Sequence, residues 1–320
     1  MCLACCVIYS GILGDVFTPL LDSVGFPAAY NKRTWNILFV TITALLPMSL
    51  IKNLSALAFT SLLGFGAIMY TVLFVVIRAF DGSYKPGAAF LEGLAEVTFQ
   101  KSAWTVGFPS LVLASNLGLA YIAHYNGPAF YRELDKADGK RFTTMVRTAF
   151  SILTVLYVII MVSGYNTFGK SCMGNILLNY HPSDSLAWLG RVATGFSILF
   201  GFPLVAAGAR EGIAGTAAGL GYAGLAKHHV PLVVALLTLV TVVAVTVQDV
   251  SLVVGLTGAA MGSLIVYIIP PIIYMRAVDM QSNVPADCKN AKANTLLIPF
   301  GIAIGGLGVY MTLKEYLAKQ

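Results

Sequence analysis

Nine runs of predominantly apolar residues, roughly 2–21, 35–51, 54–80, 107–130, 142–168, 186–209, 230–247, 250–275 and 294–313, decide what this chain can fold into. Crossing about 30 Å of hydrocarbon takes ~20 helical residues at about 1.5 Å each. Most of the nine are of that length. Water cannot be their solvent: 58% of the 320 residues are hydrophobic and 11% are charged, whereas soluble domains carry about 25% charged residues. Apolar surface that faces lipid removes the conflict. The fold class is therefore all-α and integral to a membrane, with nine predicted spans.

Runs 35–51 and 230–247 are close to the lower limit for a span, and 54–80 and 142–168 are long enough to tilt or project. Residues 212–226 contain five glycines and are expected to form a flexible or surface-lying linker. The longest polar loops, 81–106 and 169–185, are too small for a separate soluble domain, so residues 1–320 read as one transmembrane domain. The first cation is Lys32, so the opening run lacks the basic region of a signal peptide and reads as a span.

The net charge of +6 is spread through the loops with no run of five basic residues. It is a record of topology, not a nucleic-acid footprint. With the first run directed outward, eleven Lys and Arg fall inside and nine outside. The dense cluster Arg132, Lys136, Lys140, Arg141 and Arg147 occupies a short connection and gives the stronger cue to the inner side. The N-terminus is then inside and the C-terminus outside. The sequon Asn53-Leu54-Ser55 falls inside, so no glycan is expected there.

No metal or cofactor is expected. Cys2, Cys5, Cys6, Cys172 and Cys288 form no paired CxxC set and read as buried or lipid-facing thiols. His228 and His229 are adjacent, so they cannot share a helix face as a metal pair four residues apart would. Asp15 is expected to be wetted near the outer end of the first run.

Helix breakers and polar groups enter three runs together. The fourth reads FPSLVLASNLGLAYIAHYNGPAFYREL, with Asn116, Gly118, His124, Asn126 and the Gly127-Pro128 pair. The sixth carries Gly201 and Pro203; the eighth carries Gly255, Gly258, Gly262 and the Pro270-Pro271 pair. A helix broken inside the membrane frees N–H and C=O groups to line a cavity. Glycine and proline also serve close packing or a simple kink, and the Gly-x-x-Gly-x-x-x-Gly of the eighth run reads as a packing face. His124 is the one histidine within a predicted span. It either hydrogen-bonds a neighbouring helix or handles a proton or substrate, since histidine changes charge near neutral pH.

Several phrases, taken in order, carry a resemblance. They are Leu46-Pro47-Met48-Ser49-Leu50-Ile51-Lys52-Asn53-Leu54; Ala123-His124-Tyr125-Asn126-Gly127-Pro128 running on to Tyr131-Arg132-Glu133-Leu134; Gly164-Tyr165-Asn166-Thr167-Phe168-Gly169 followed by Gly174-Asn175-Ile176-Leu177-Leu178-Asn179; and Phe202-Pro203-Leu204-Val205 with Arg210. Over almost the whole chain the sequence resembles the amino acid/auxin permease family, which includes sodium-coupled neutral amino acid transporters and proton-coupled relatives. The resemblance implies eleven helices in a LeuT-type inverted-repeat bundle. Ser10-Gly11-Ile12-Leu13-Gly14-Asp15 looks like the start of the family's third helix. An N-terminal truncation is therefore expected, with the first two helices absent.

The resemblance also implies a site. A neutral amino acid is expected at the broken part of the fourth run, at Ser115, Asn116, Gly118, His124 and Asn126, facing the first and sixth runs. Sodium-coupled members place a hydroxyl just before the eighth-helix proline. Here Leu199, Phe200, Gly201 and Phe202 precede Pro203, and Ser197 is the nearest hydroxyl. A hard cation needs oxygen ligands, so proton coupling through His124, or facilitated transport, is expected over sodium. The partners are an amino acid and membrane lipid, and the membrane is the plasma or the vacuolar/lysosomal one. The alternatives are an amino acid sensor on the same fold or a non-functional fragment. A membrane-embedded enzyme is not expected: Ser263 is a possible nucleophile, but no histidine follows residue 229.

Overall fold

A computed structural model describes residues 1–51, 58–85, 88, 90, 108–124, 127–222, 224, 228–280 and 291–318. Regular structure among them is helical throughout. The helices are α1 (Cys2–Ser23), α2 (Arg33–Val40), α3 (Leu46–Ser49), α4 (Ala58–Phe80), α5 (Phe108–Ala120), α6 (Gly127–Glu133), α7 (Gly139–Phe168), α8 (Ser185–Gly219), α9 (His229–Thr246), α10 (Val250–Thr257), α11 (Ile269–Asp279) and α12 (Leu297–Ala318). Two stretches are wound as π-helix, Thr41–Leu45 between α2 and α3 and Gly258–Ile268 between α10 and α11.

Seven rods among the described residues are long and apolar enough to cross a membrane: α1, α4, α7, α8, α9, the continuous α10–π–α11 rod and α12. The other two predicted spans are built differently. Residues 33–49 run as α2, a π segment and α3 in succession, and 107–130 is divided into α5 and α6. Large apolar side chains face outward, including Leu62, Leu63, Phe65 and Leu73 on α4 and Ile152, Val155, Val158 and Val162 on α7. Lipid accepts such faces without the cost they would carry in water.

Two sequence expectations are corrected. Gly201 and Pro203 do not break the sixth run, because α8 passes through both as one helix. Nor is 212–226 wholly a linker: α8 continues to Gly219, where alanines favour the helix and outweigh the glycines. It ends in a Schellman cap. The amide of Tyr222 donates to Ala217 O (2.8 Å) and that of Gly221 to Ala218 O (3.1 Å), with Gly221 at φ 92°. The sequon at Asn53 and the thiol of Cys288 lie outside the described residues.

The chain forms two compact units. The first comprises residues 1–101 and 155–250. In it α1 lies against α8, α2 and α9, and α4 lies along α8. Its core joins Val16 and Leu20 of α1, Phe74 and Val75 of α4, and Tyr84, Phe168, Leu177, Tyr180 and Ala187. Phe74, Phe168 and Tyr84 all meet Tyr180 edge-on, the arrangement that ring quadrupoles favour. Gly190 is the position on α8 where the Phe74 ring enters, and a Cβ there would overlap it. The second unit comprises residues 102–154 and 251–320. Here α5 and α12 pack against the π-helical stretch Gly258–Ile268.

Candidate functional site

The fourth run is broken where its sequence suggests. Helix α5 stops at Ala120 and α6 starts at Gly127. Pro128 sits in the first turn of α6, where its missing N–H costs nothing. Just past α5 the ladder tightens: Tyr121 N still donates four residues back, to Leu117 O at 3.0 Å, but Ile122 N donates only three back, to Leu119 O at 3.1 Å. Tyr121 then fixes the exit, donating to Thr154 Oγ1 at 2.9 Å and stacking on Phe150 of α7.

Just before the break, small residues let three helices approach. A Cβ on Gly118 would lie 3.5 Å from Gly258 O, and one on Gly262 would lie 3.6 Å from the carbonyl carbon of Gly118. The eighth-run glycines are thus a packing face, set against α5. Gly255 is more crowded. A Cβ there would lie 2.7 Å from Thr312 Cγ2 and 3.4 Å from Asn116 Oδ1. Thr312 is buried and donates to Gly308 O at 2.9 Å. Asn116 Oδ1 is buried and accepts no hydrogen bond. An unpaired acceptor of this kind costs about 1–3 kcal/mol, so its retention calls for a partner.

Among the expected site residues, the structure brings Asn116 and Gly118 together with Gly255, Gly258 and Thr312. Ser115 belongs to α5, and Asn126 lies outside the described residues. His124 stands in the break and is exposed. Gly255 packs closely, as the glycine pattern of the eighth run suggests, whereas the sequence gives no sign of Thr312 opposite it. Nothing in either local sequence marks the other, since they are brought together only by the packing of α10 on α12.

The first unit carries ionic groups of its own. Asp15 is not wetted as expected: its carboxylate accepts from Arg33 Nε at 2.7 Å and its side chain is 10% exposed. Arg33 also donates to Ala244 O (2.9 Å) and Gly11 O (3.3 Å), so one guanidinium ties α1, α2 and α9. A cavity of about 470 Å³ opens beside this pair. Elsewhere Asp184 caps α8 and is fully buried under Arg78. Tyr84 Oη donates to it at 2.9 Å. Burial alone would raise the Asp184 pKa, but the bonds from Arg78, Tyr84 and the Ala187 amide hold it below the usual carboxylate value. Burial pushes the Tyr84 and Tyr180 phenols up. Arg191 is 2% exposed, with Nη2 donating to Leu177 O and Tyr180 O. Ser197, the nearest hydroxyl to Pro203, donates to Gly64 O at 3.2 Å. Among the described residues no group of His, Cys, Asp and Glu is arranged to hold a metal.

Residues 1–314 match the pattern of the family described as transmembrane amino acid transporter protein. The chain belongs to that family. It is therefore a multi-pass integral membrane protein of a transporter family, not of an enzyme family. It is 26% identical over 327 aligned residues to solute carrier family 38 member 10 of Rattus norvegicus, covering 98% of this chain and 28% of that protein. The human protein of the same name is 26% identical over 324 residues, covering 98% of this chain and 27% of its own length. A Macaca fascicularis protein, named as the proposed sodium-coupled neutral amino acid transporter 11, is 23% identical over 312 residues, covering 96% of this chain and 64% of its own. The chain thus spans about a quarter of the solute carrier proteins that it matches.

Proposed function

We propose that this chain moves neutral amino acids across a membrane by alternating access, on a LeuT-type bundle, with substrate held at the break between α5 and α6. Family membership supports amino acid transport. The observation that carries the site is Asn116: a buried, unpaired acceptor two residues from Gly118, on the helix that ends at the break. An amide oxygen so placed suits an ammonium group. Backbone groups freed at the end of α5 and the start of α6 suit the two ends of a zwitterion.

Coupling to protons, or none, fits the residues better than coupling to sodium. Leu199, Phe200, Gly201 and Phe202 offer no side-chain oxygen before Pro203, and Ser197 is engaged with α4. The deciding experiment is uptake of labelled L-alanine, L-glutamine and L-leucine into proteoliposomes. Saturable uptake of at least one is expected, and Asn116→Leu should lower it by roughly tenfold, the effect of losing about 1.4 kcal/mol of binding. Uptake unchanged in Asn116→Leu would remove the substrate from this site.

A further inference from the structure

The cavity of about 470 Å³ in the first unit lies away from the α5–α6 break in sequence and is lined from α1, the α1–α2 loop, the start of α2 and Leu178. Its size falls in the range of about 300–1,000 Å³ typical of small-molecule sites. Its lining is amphoteric. Acceptors come from Asp15 and Asp22 of α1 and from Thr18; donors come from Arg33 and Asn31.

The pairing of these groups shows which are spent. Asn31 Nδ2 donates to Thr18 O at 3.0 Å, and Asn36 Nδ2 bridges Thr18 Oγ1 and Asn31 Oδ1 at 3.0 and 2.8 Å. That network fixes the wall. Arg33 directs one bond from each of its three nitrogens, to Asp15, Ala244 and Gly11. A guanidinium carries five N–H donors, so two remain. Asp22 is exposed and makes no ion pair among the described residues. The cavity therefore keeps a free carboxylate together with unspent N–H donors. A simple cation would use only the first and a simple anion only the second.

We propose that this cavity is a second amino acid site, which takes a free α-amino acid by its ammonium at Asp22 and Asp15 and by its carboxylate at the two remaining donors of Arg33. The side chain of the ligand meets Pro19, Ala28 and Leu178. Recognition is of the zwitterionic backbone, so the smallest chiral amino acid suffices as a probe. A metal ion is disfavoured, because a hard cation needs a tight cage of six to eight oxygens and this lining is wide.

Equilibrium binding of labelled L-alanine to the full chain in lipid nanodiscs tests the proposal. Saturable binding is expected, with ethylamine and propionate each competing at least roughly tenfold less well than L-alanine, because each keeps only one charged end. Asp22→Lys is expected to weaken binding by roughly tenfold or more at this cavity, and since Asp22 is exposed the variant should fold. Arg33→Gln should do the same, with thermal unfolding measured alongside because Arg33 also ties three helices. Asn116→Ala separates this site from the α5–α6 break: one saturable site should survive in it and disappear in Asn116→Ala with Asp22→Lys. Three outcomes would overturn the proposal: binding untouched by Asp22→Lys, complete loss in Asn116→Ala alone, or equal competition by ethylamine or propionate. Complete loss in Asn116→Ala alone would leave the transport reading standing.

Discussion

Arg78 grips both carboxylate oxygens of Asp184, with Nε donating at 2.9 Å and Nη2 at 2.6 Å. Residues from α4 and the cap of α8 are joined by one bidentate pair, and the carboxylate side chain is fully buried. Planar two-point geometry makes such pairs stronger than a single charged contact. Breaking one by removing a single partner leaves an uncompensated buried charge, at about 3–5 kcal/mol. Arg78→Met and Asp184→Asn should each lower thermal stability in detergent by an amount of that order. Arg78→Met combined with Asp184→Leu should recover much of the loss. Additive effects of the two single changes would show that the pair is not coupled.

The same carboxylate sets a pH dependence. Asp184 is held below its ordinary value by Arg78 and Tyr84 against the penalty of burial. Asp81 is also lowered: burial opposes this, and the Ser83 amide and Arg78 outweigh it. For a carboxylate whose folded pKa is depressed, the unfolded state binds the proton first. The stability contribution is complete above the unfolded value near 3.9 and is lost as pH falls through the folded one. Thermal unfolding between about pH 7 and pH 3 should therefore show a loss of stability confined to the acid end. Asp184→Asn should flatten that loss, and an equally steep loss in the variant would assign it to other groups.

Gly255 gives a packing test in the second unit. A Cβ there meets Thr312 Cγ2 at 2.7 Å, well inside van der Waals contact. Gly255→Ala should cost about 1–3 kcal/mol, the usual range for overpacking. Thr312→Ser removes the offending methyl and should restore part of that cost. A double-mutant cycle on melting temperature measures the coupling, and zero coupling would mean that α10 and α12 do not meet there.

His124 separates two coupling schemes. If it handles the proton, an acid-outside gradient should raise uptake, and His124→Gln should abolish that rise while protein remains in the membrane. Replacing external sodium by choline should leave most uptake intact. Strict sodium dependence would refute the coupling proposal outright, and a normal acid response in His124→Gln would leave the residue a structural role.

Orientation is open to direct chemistry. Lys136 precedes α7 and Asn175 follows it, so a single crossing separates them. Cysteine introduced at 136 should be labelled by an impermeant reagent from the cytosolic side, and cysteine at 175 from the opposite side. The reverse pattern would invert the topology.

Most rods were legible in the sequence because lipid imposes a composition that no loop shares. The α5–α6 break was legible too, since Gly127-Pro128 starts a helix far better than it continues one. Pro203 carried a weaker version of the same signal and misled: α8 runs through it as one helix, and helices in a membrane tolerate an interior proline. The pairing of Asp15 with Arg33 was hidden: the two are 18 residues apart across a loop, and only the fold of α2 back along α1 joins them. The burial of Arg191 was hidden as well. Its partners are the backbone carbonyls of Leu177 and Tyr180, and carbonyls leave no mark in side-chain identity.

The π-helical stretch Gly258–Ile268 has a consequence of phase. A turn closed from i to i+5 holds one residue more than an α-turn, and one residue is about 100° of rotation. A face followed by counting threes and fours from α10 is therefore out of step by the time it reaches α11. In Val250–Asp279 the chain is continuous while its angular bookkeeping is not, like a screw cut with two pitches. Residues on opposite sides of Gly258–Ile268 that a helical wheel would group together point in different directions, and Pro270 and Pro271 enter at the seam where the second pitch ends.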